Sequence, residues 1–184
     1  MNNEQRIMSN EYGISTSYPG DGEGIPVLLL LGGNQGDRVY LLRQAREQLA
    51  QYAGKIVRQS ALYESEPWGF TSPGRFINQV VEVETALSPL QLLSVTQQIE
   101  KNLGREKPPG VRYASRTMDI DILFFGREIL RLPGLIIPHP RLHERRFTLL
   151  PLCEIIPDME HPVLKKTVRT LLQECADAGE VSVF

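Results

Sequence analysis

Arg116-Thr-Met-Asp119-Ile-Asp121-Ile-Leu-Phe-Phe125 sets two carboxylates two residues apart in an otherwise apolar and aromatic run. The run reads as a buried strand, and side chains at i and i+2 of a strand share one face. Two like charges about 7 Å apart at the edge of a core repel each other and lose hydration, so they need compensation. Basic side chains can supply it, with Arg105, Arg112 and Arg116 the nearest in sequence. A divalent cation can also supply it. Mg²⁺ takes one or two protein carboxylates and completes its shell with water and phosphate oxygens. The pattern leaves both open and makes a Mg²⁺-nucleotide site the first hypothesis.

The elements around this strand set the fold class. Val27-Leu-Leu-Leu-Leu31 is a continuous apolar run suited to a central strand. The turn Gly32-Gly33-Asn34 follows, and Asp37 caps a helix over 38–52 with Leu41, Leu42, Ala45, Leu49 and Tyr52 at helical spacing. Residues 55–63 read as a second strand and 76–87 as a third, joined by a loop containing Glu66-Pro67-Trp68-Gly69-Phe70. Ser88-Pro89 opens a second helix that closes at Leu103-Gly104. After the Asp-x-Asp strand comes the rigid turn Pro138-His139-Pro140-Arg141. Helices are expected from Phe147 to Ile156 and from about Lys165 to Cys175. Strand-helix-strand, repeated, then a helical tail, reads as an α+β sandwich of the split βαβ, ferredoxin-like type. Residues 1–25 are polar, aperiodic and rich in Gly, Ser and Asn, and are expected to be a disordered tail before one domain at 26–184.

The bulk numbers exclude several function classes. A chain of 184 residues suits one domain, and 41% apolar with 23% charged content is ordinary for a globular protein. A formal net charge of -2 argues against general polyanion binding, which rests on an Arg/Lys excess. No run approaches a membrane span, no signal peptide opens the chain, and Cys153 and Cys175 read as buried thiols of a cytoplasmic protein. Small-molecule substrates are expected, with no nucleic-acid or membrane partner. Nothing requires more than a monomer.

Any anion site must therefore be gathered locally. Arg105, Lys107, Arg112 and Arg116 fall together, and Arg141, Arg145 and Arg146 follow the apolar segment at 135–137. Arg offers a fixed fork of donors to phosphate oxygens, although a solvated basic loop has the same composition. His139, held between two prolines, suits either a ligand contact or a fold constraint. Gly32 to Asp37 has neither phosphate-loop signature and reads as a turn with a helix cap. Trp68, Phe70, Phe76 and Phe147 could sandwich a flat heterocycle whose edge Asn78 reads, or could simply pack in the core.

Taken together, the chain resembles the 6-hydroxymethyl-7,8-dihydropterin pyrophosphokinase family of folate biosynthesis. The resemblance rests on Leu31-Gly-Gly-Asn-Gln-Gly-Asp37, Ser60-Ala-Leu-Tyr-Glu-Ser-Glu-Pro-Trp-Gly69, Phe76-Ile-Asn78, Ile99-Glu-Lys-Asn-Leu-Gly-Arg105, the Arg-Thr-x-Asp-x-Asp segment and Pro138-His-Pro-Arg-Leu-His-Glu-Arg145, in family order. It implies a ferredoxin-like α-β-α sandwich with a mainly antiparallel central sheet. It also implies transfer of the β,γ-diphosphoryl group of ATP to the pterin hydroxymethyl oxygen, with release of AMP.

By the same resemblance, Asp119 and Asp121 hold two Mg²⁺ ions, and Arg105 and Arg116 join them in catalysis. Gln97, Glu100, Arg105, Arg112, Arg116, His139 and Arg145 serve ATP. Ser65, Trp68, Gly69, Phe76, Asn78 and Phe147 form the pterin pocket. Gly33, Lys107 and Tyr113 depart from common family choices of Ser, Arg and Trp. Two other readings share the scaffold. A different Mg²⁺-dependent phosphotransferase would release ADP. An RNA-binding sheet would need an aromatic and basic strand motif that the chain lacks.

Overall fold

A computed structural model describes residues 24–105 and 115–184. The expected tail up to residue 23, and Lys107, Arg112 and Tyr113, lie outside the described residues. Strand β1 (Ile25–Gly33) is the centre of the molecule, buried on both faces from Val27 to Gly33. Its neighbours are β4 (Phe76–Thr85) on one side and β5 (Asp119–Phe125) on the other, both antiparallel. Beyond β4 lie β2 (Lys55–Gln59) and β3 (Tyr63–Ser65), and β8 (Val181–Val183) completes a six-stranded sheet on the far side of β3.

Alternation along β1 sorts two cores. Val27, Leu29 and Leu31 face helices α1 (Arg38–Tyr52) and α2 (Pro89–Asn102), joining Leu42, Ala45, Leu49, Leu92 and Ile99. Leu28 and Leu30 face α3 (Arg146–Ile155) and α4 (Val168–Glu174), joining Leu149, Leu152, Val168 and Leu171. This is the α-β-α sandwich expected, with every strand pair antiparallel.

Local chemistry explains the helix starts. The Asp37 carboxylate accepts the Tyr40 N–H at 3.0 Å. Ser88 and Gln91 form a reciprocal capping box, with Pro89 in the first turn.

Several expectations need revision. The single strand expected over 55–63 is two, because buried Ser60 interrupts it. Its backbone N–H donates to the Val80 carbonyl at 2.9 Å, and its Oγ accepts the Val80 N–H at 3.1 Å. The strand expected to reach residue 87 stops at Thr85. The last helix starts at Val168, not Lys165, where the Thr167 hydroxyl caps it. Residues Leu130–Leu132 (β6) and Leu135–Ile137 (β7) form a hairpin, and neither it nor β8 was anticipated.

Two substitutions separate local from core stability. Leu29→Ala removes a fully buried side chain between β1 and the α1–α2 layer and is expected to cost about 2–5 kcal/mol. Ser88→Ala, which removes only the α2 cap, is expected to cost about 1 kcal/mol. Urea unfolding midpoints measure both. A Ser88→Ala cost equal to that of Leu29→Ala would contradict the assignment.

Candidate active site

The Asp-x-Asp pair sits where strand pairing puts it. Asp121 lies opposite Leu30 of β1 and Asp119 opposite Gly32. Ile120 and Ile122 point into the α1–α2 core, so both carboxylates emerge on the α3 side. There they line a cleft of about 790 Å³ of empty space, open to solvent.

One half of the cleft is charged. Arg105 Nη1 stands 2.7 Å from Asp119 Oδ1, and Arg116 holds the other oxygen of the same carboxylate. Arg105 also pairs with Glu100, which is buried on α2 and accepts the Ile120 N–H at 2.8 Å. Glu100 thus anchors α2, the start of β5 and Arg105 together. Burial, with help from Asp119, raises its pKa against the pull of the Ile120 N–H and Arg105.

Asp121 has a looser partner in Arg145 Nη1, at 3.6 Å. Desolvation, reinforced by Asp119 and opposed by Arg145 and Arg116, pushes the Asp121 carboxyl up to about 7. Its guanidinium contact is longer than the 2.7 Å that Arg105 makes with Asp119. Arg145 Nε is buried without a hydrogen-bond partner, a donor still available to an acceptor in the cleft.

His139 arrives from the α3 side, its backbone N–H donating to the Leu123 carbonyl at 2.9 Å. Burial, then the positive charge of Arg145, lowers its pKa to about 4. Its Nδ1 accepts the Arg141 N–H at 3.2 Å, so the neutral ring carries its proton on Nε2. In this tautomer the ring can donate a hydrogen bond from Nε2.

The other half is aromatic. Trp68, Phe70, Phe76 and Phe147 line it with Asn78 and Ser65. Asn78 is buried, and its amide donates to Ser65 Oγ at 2.9 Å. Phe70 packs edge-on against Phe76 with ring centres 6.1 Å apart. Arg141 and Arg145 cover the Trp68 ring at 4.3 and 4.8 Å.

Gly32 joins the two halves, paired with Asn78 on one side and Asp119 on the other. A Cβ there would stand 2.8 Å from Asn78 Oδ1, so only glycine leaves the Asn78 amide in place. At Gly33 a Cβ would stand 2.3 Å from the Thr117 carbonyl. The departure from serine at Gly33 therefore fits this backbone.

Most residues singled out from sequence converge here: Ser65, Trp68, Phe76, Asn78, Arg105, Arg116, Asp119, Asp121, His139, Arg145 and Phe147 all line the cleft. Glu100 supports it from beneath. Gln97 is exposed on α2 and Gly69 on the loop surface, and neither is part of the lining. Leu30, Gly32 and Glu66 also line it and were missed. Strand register would have found the first two.

Sequence reasoning also passed over Asn34. Its side-chain amide donates to Ser72 Oγ at 3.2 Å, the Gly74 carbonyl at 3.2 Å and Ser115 Oγ at 3.0 Å. Its Oδ1 accepts the Arg116 N–H at 2.9 Å. One side chain thus ties the end of β1 to the aromatic loop and to the segment carrying Arg116. The only signal was an Asn in a glycine turn.

Comparison with known proteins gives this geometry a family. Residues 28–157 match the family model described as 7,8-dihydro-6-hydroxymethylpterin-pyrophosphokinase (HPPK). A 2-amino-4-hydroxy-6-hydroxymethyldihydropteridine pyrophosphokinase from Bacillus subtilis (strain 168) is 46% identical over 133 residues, covering 72% of this chain and 78% of its own. The protein of the same name from Aquifex aeolicus (strain VF5) is 38% identical over 148 residues, covering 80% and 91%.

The crystal structure of wild-type Plasmodium falciparum HPPK-DHPS superposes with a TM-score of 0.67 at 20% identity, over 84% of this chain and 45% of that one. That likeness concerns the fold alone, and this chain spans under half of that larger protein. With 130 consecutive residues matched (28 through 157) and close relatives covered over most of their length, the chain belongs to the 7,8-dihydro-6-hydroxymethylpterin-pyrophosphokinase family.

Proposed function

We propose that the charged half of the cleft binds the phosphates of ATP and the aromatic half binds the pterin. Pyrophosphoryl transfer from ATP to hydroxymethyldihydropterin, a step of folate synthesis, then takes place at their junction. One observation carries this reading. Paired carboxylates, guanidinium groups and a ring-lined slot with a buried amide share one cleft, split at Gly32.

Asp119 and Asp121 suit Mg²⁺ on the chemistry of the donors. They are two hard oxygen ligands on one strand face, with Asp121 less closely paired with arginine than Asp119. No cluster of three or more His, Cys, Asp or Glu able to hold a metal occurs among the described residues, which suits an ion that draws its other ligands from phosphate and water. Two Mg²⁺ ions held here would neutralise the transferring phosphates and polarise the acceptor hydroxyl.

The chain's own part is charge and position. Arg105, Arg116 and Arg145 now neutralise the carboxylates, and the same guanidinium forks are the phosphate donors once substrate arrives. Glu100 keeps Arg105 aimed, and neutral His139 adds an uncharged Nε2–H donor. Arg112, outside the described residues, and Gln97, at the surface, complete the ATP set we assign. Phe76 and Phe147 sandwich the pterin and Asn78 reads its edge. Ser65 and the Trp68-Gly69 loop close that side, shielding the reaction from water. The amide of Asn34 keys the aromatic loop to the phosphate side. No helix among the described residues is long and apolar enough to cross a membrane, and we assign the reaction to the cytoplasm.

The deciding experiment resolves nucleotide products from the purified protein with ATP, Mg²⁺ and hydroxymethyldihydropterin. Pterin-dependent AMP that disappears on chelation is expected, and ADP would overturn the reading.

Asp121→Asn keeps shape and removes charge. Turnover should fall by about 100-fold or more, without a lower melting temperature, because a desolvated like-charge pair adds no stability in the free protein. Near-normal turnover would remove Asp121 from the metal role. Phe147→Ala should raise the pterin Kd by about 10-fold or more with little change for ATP, and equal losses by calorimetry would contradict the sandwich. Asn34→Ala should lower kcat/KM by about 10-fold. An Asn34→Ala enzyme with unchanged kinetics would make the three-way tie structural only.

A further inference from the structure

The matched family region ends at residue 157, yet a later segment reaches back to the base of the loop that carries Trp68 and Phe70. We propose that residues 180–184 are a positioning element for the pterin side of the site, an inference that rests on the assignment of that side made above.

The loop carrying Trp68 and Phe70 leaves the sheet at Ser65 and re-enters it at Phe76. Glu180 holds both of its ends. The Glu180 backbone carbonyl accepts the Glu66 N–H at 3.4 Å, and its carboxylate lies 3.1 Å from Arg75 Nη1. Arg75 Nε also stands 3.3 Å from Glu64, which accepts from Arg38 at 3.0 Å. Arg38 in turn donates to the Arg75 carbonyl at 2.8 Å. The two stems of the loop are thus latched to each other and to residue 180.

The latch continues as a strand. β8 pairs with β3 in the register Ser65–Val181, Glu64–Ser182 and Tyr63–Val183. The Phe184 N–H donates to the Leu62 carbonyl at 2.8 Å, and Arg38 lies over the Phe184 ring at 5.6 Å. β3 is only three residues long, and so short a strand with one neighbour is weakly held. β8 supplies its second ladder. Ser65, opposite Val181, is the residue whose Oγ takes the Asn78 amide proton. The ladder therefore ends one hydrogen bond from the group assigned to read the pterin, although β8 itself lines none of the cleft.

The backbone ladder carries more of this role than the ion pair. The Glu180 side chain is 68% exposed, and exposed pairs contribute little. In an antiparallel ladder bonded pairs alternate. With Glu66–Glu180 and Leu62–Phe184 bonded, Glu64–Ser182 is the bonded pair between them.

The test uses the full chain with Ser182→Pro, which removes that N–H, beside Ser182→Ala, which keeps it, and a variant lacking 180–184. Trp68 is the only tryptophan in the chain, so its fluorescence reports on the loop directly. Ser182→Pro and the deletion should raise KM for hydroxymethyldihydropterin at least about fivefold. KM for ATP should change by less than about twofold, and Trp68 should become more open to acrylamide quenching. Ser182→Ala should match the parent. Equal rises in both KM values, unchanged quenching, or loss of cooperative unfolding in both disrupted variants would overturn the proposal. If the parent chain turns over no pterin, the assignment of the site fails, while Trp68 quenching still tests the latch.

Discussion

Two carboxylates on one face of β5 have to be kept apart from the core and supplied with positive charge, and much of the site follows from that need. Asp119 and Asp121 cannot turn inward, because Ile120 and Ile122 occupy the α1–α2 side. Asp119 takes guanidinium groups from two segments, Arg105 after α2 and Arg116 before β5. Among the described residues, Asp121 pairs with the more distant Arg145, from the start of α3. Charge neutralisation therefore draws together the end of α2, the start of β5 and the turn before α3. The same cations suit polyphosphate. Structural neutralisation in the free protein and substrate binding use one set of side chains, which keeps the fold and the function hard to separate by mutation of any arginine.

The sheet supplies precision through close approach. β1 runs bare of side chains at Gly32, so Asn78 on β4 and Asp119 on β5 face each other across it. A bulge in β5, where Leu28 pairs with Phe124 but Leu29 with Ile122, shifts the side-chain phase beyond the site. Leu123 and Phe124 consequently both enter the α3–α4 core. The aspartates keep one phase while the apolar end of the strand serves another. His139 is docked by the bulged residue, through the Leu123 carbonyl.

Much of this was legible beforehand where the signal was local. The caps at Asp37 and Ser88, the period of α1 and α2, the apolar run of β1 and the alternation in β5 each depend on a few neighbouring residues, and each element appears where its pattern lies. The residues quoted for the family resemblance are likewise short motifs. Expectations failed where a distant partner decides. Ser60 breaks a strand because Val80 claims both its N–H and its Oγ. β3 and β8 are too short to announce themselves and exist by pairing, β3 with β4 and β8 with β3. Burial and Arg145, neither visible in the Pro-His-Pro turn, lower the His139 pKa.

Composition and pattern alone determined that this is an α+β chain with a central apolar strand, two capped helices and a carboxylate pair on one strand face. Hydrophobic period, capping and two-residue alternation are properties of adjacent residues, so no fold is needed to read them. Only the tertiary structure decided that Asp119 faces Asn78 across Gly32, that Asn34 ties three segments, and that residues 180–184 brace a loop more than a hundred positions away. Those relations depend on register between strands and on the closing of long loops. Their energy comes from contacts whose partners are far apart in the chain.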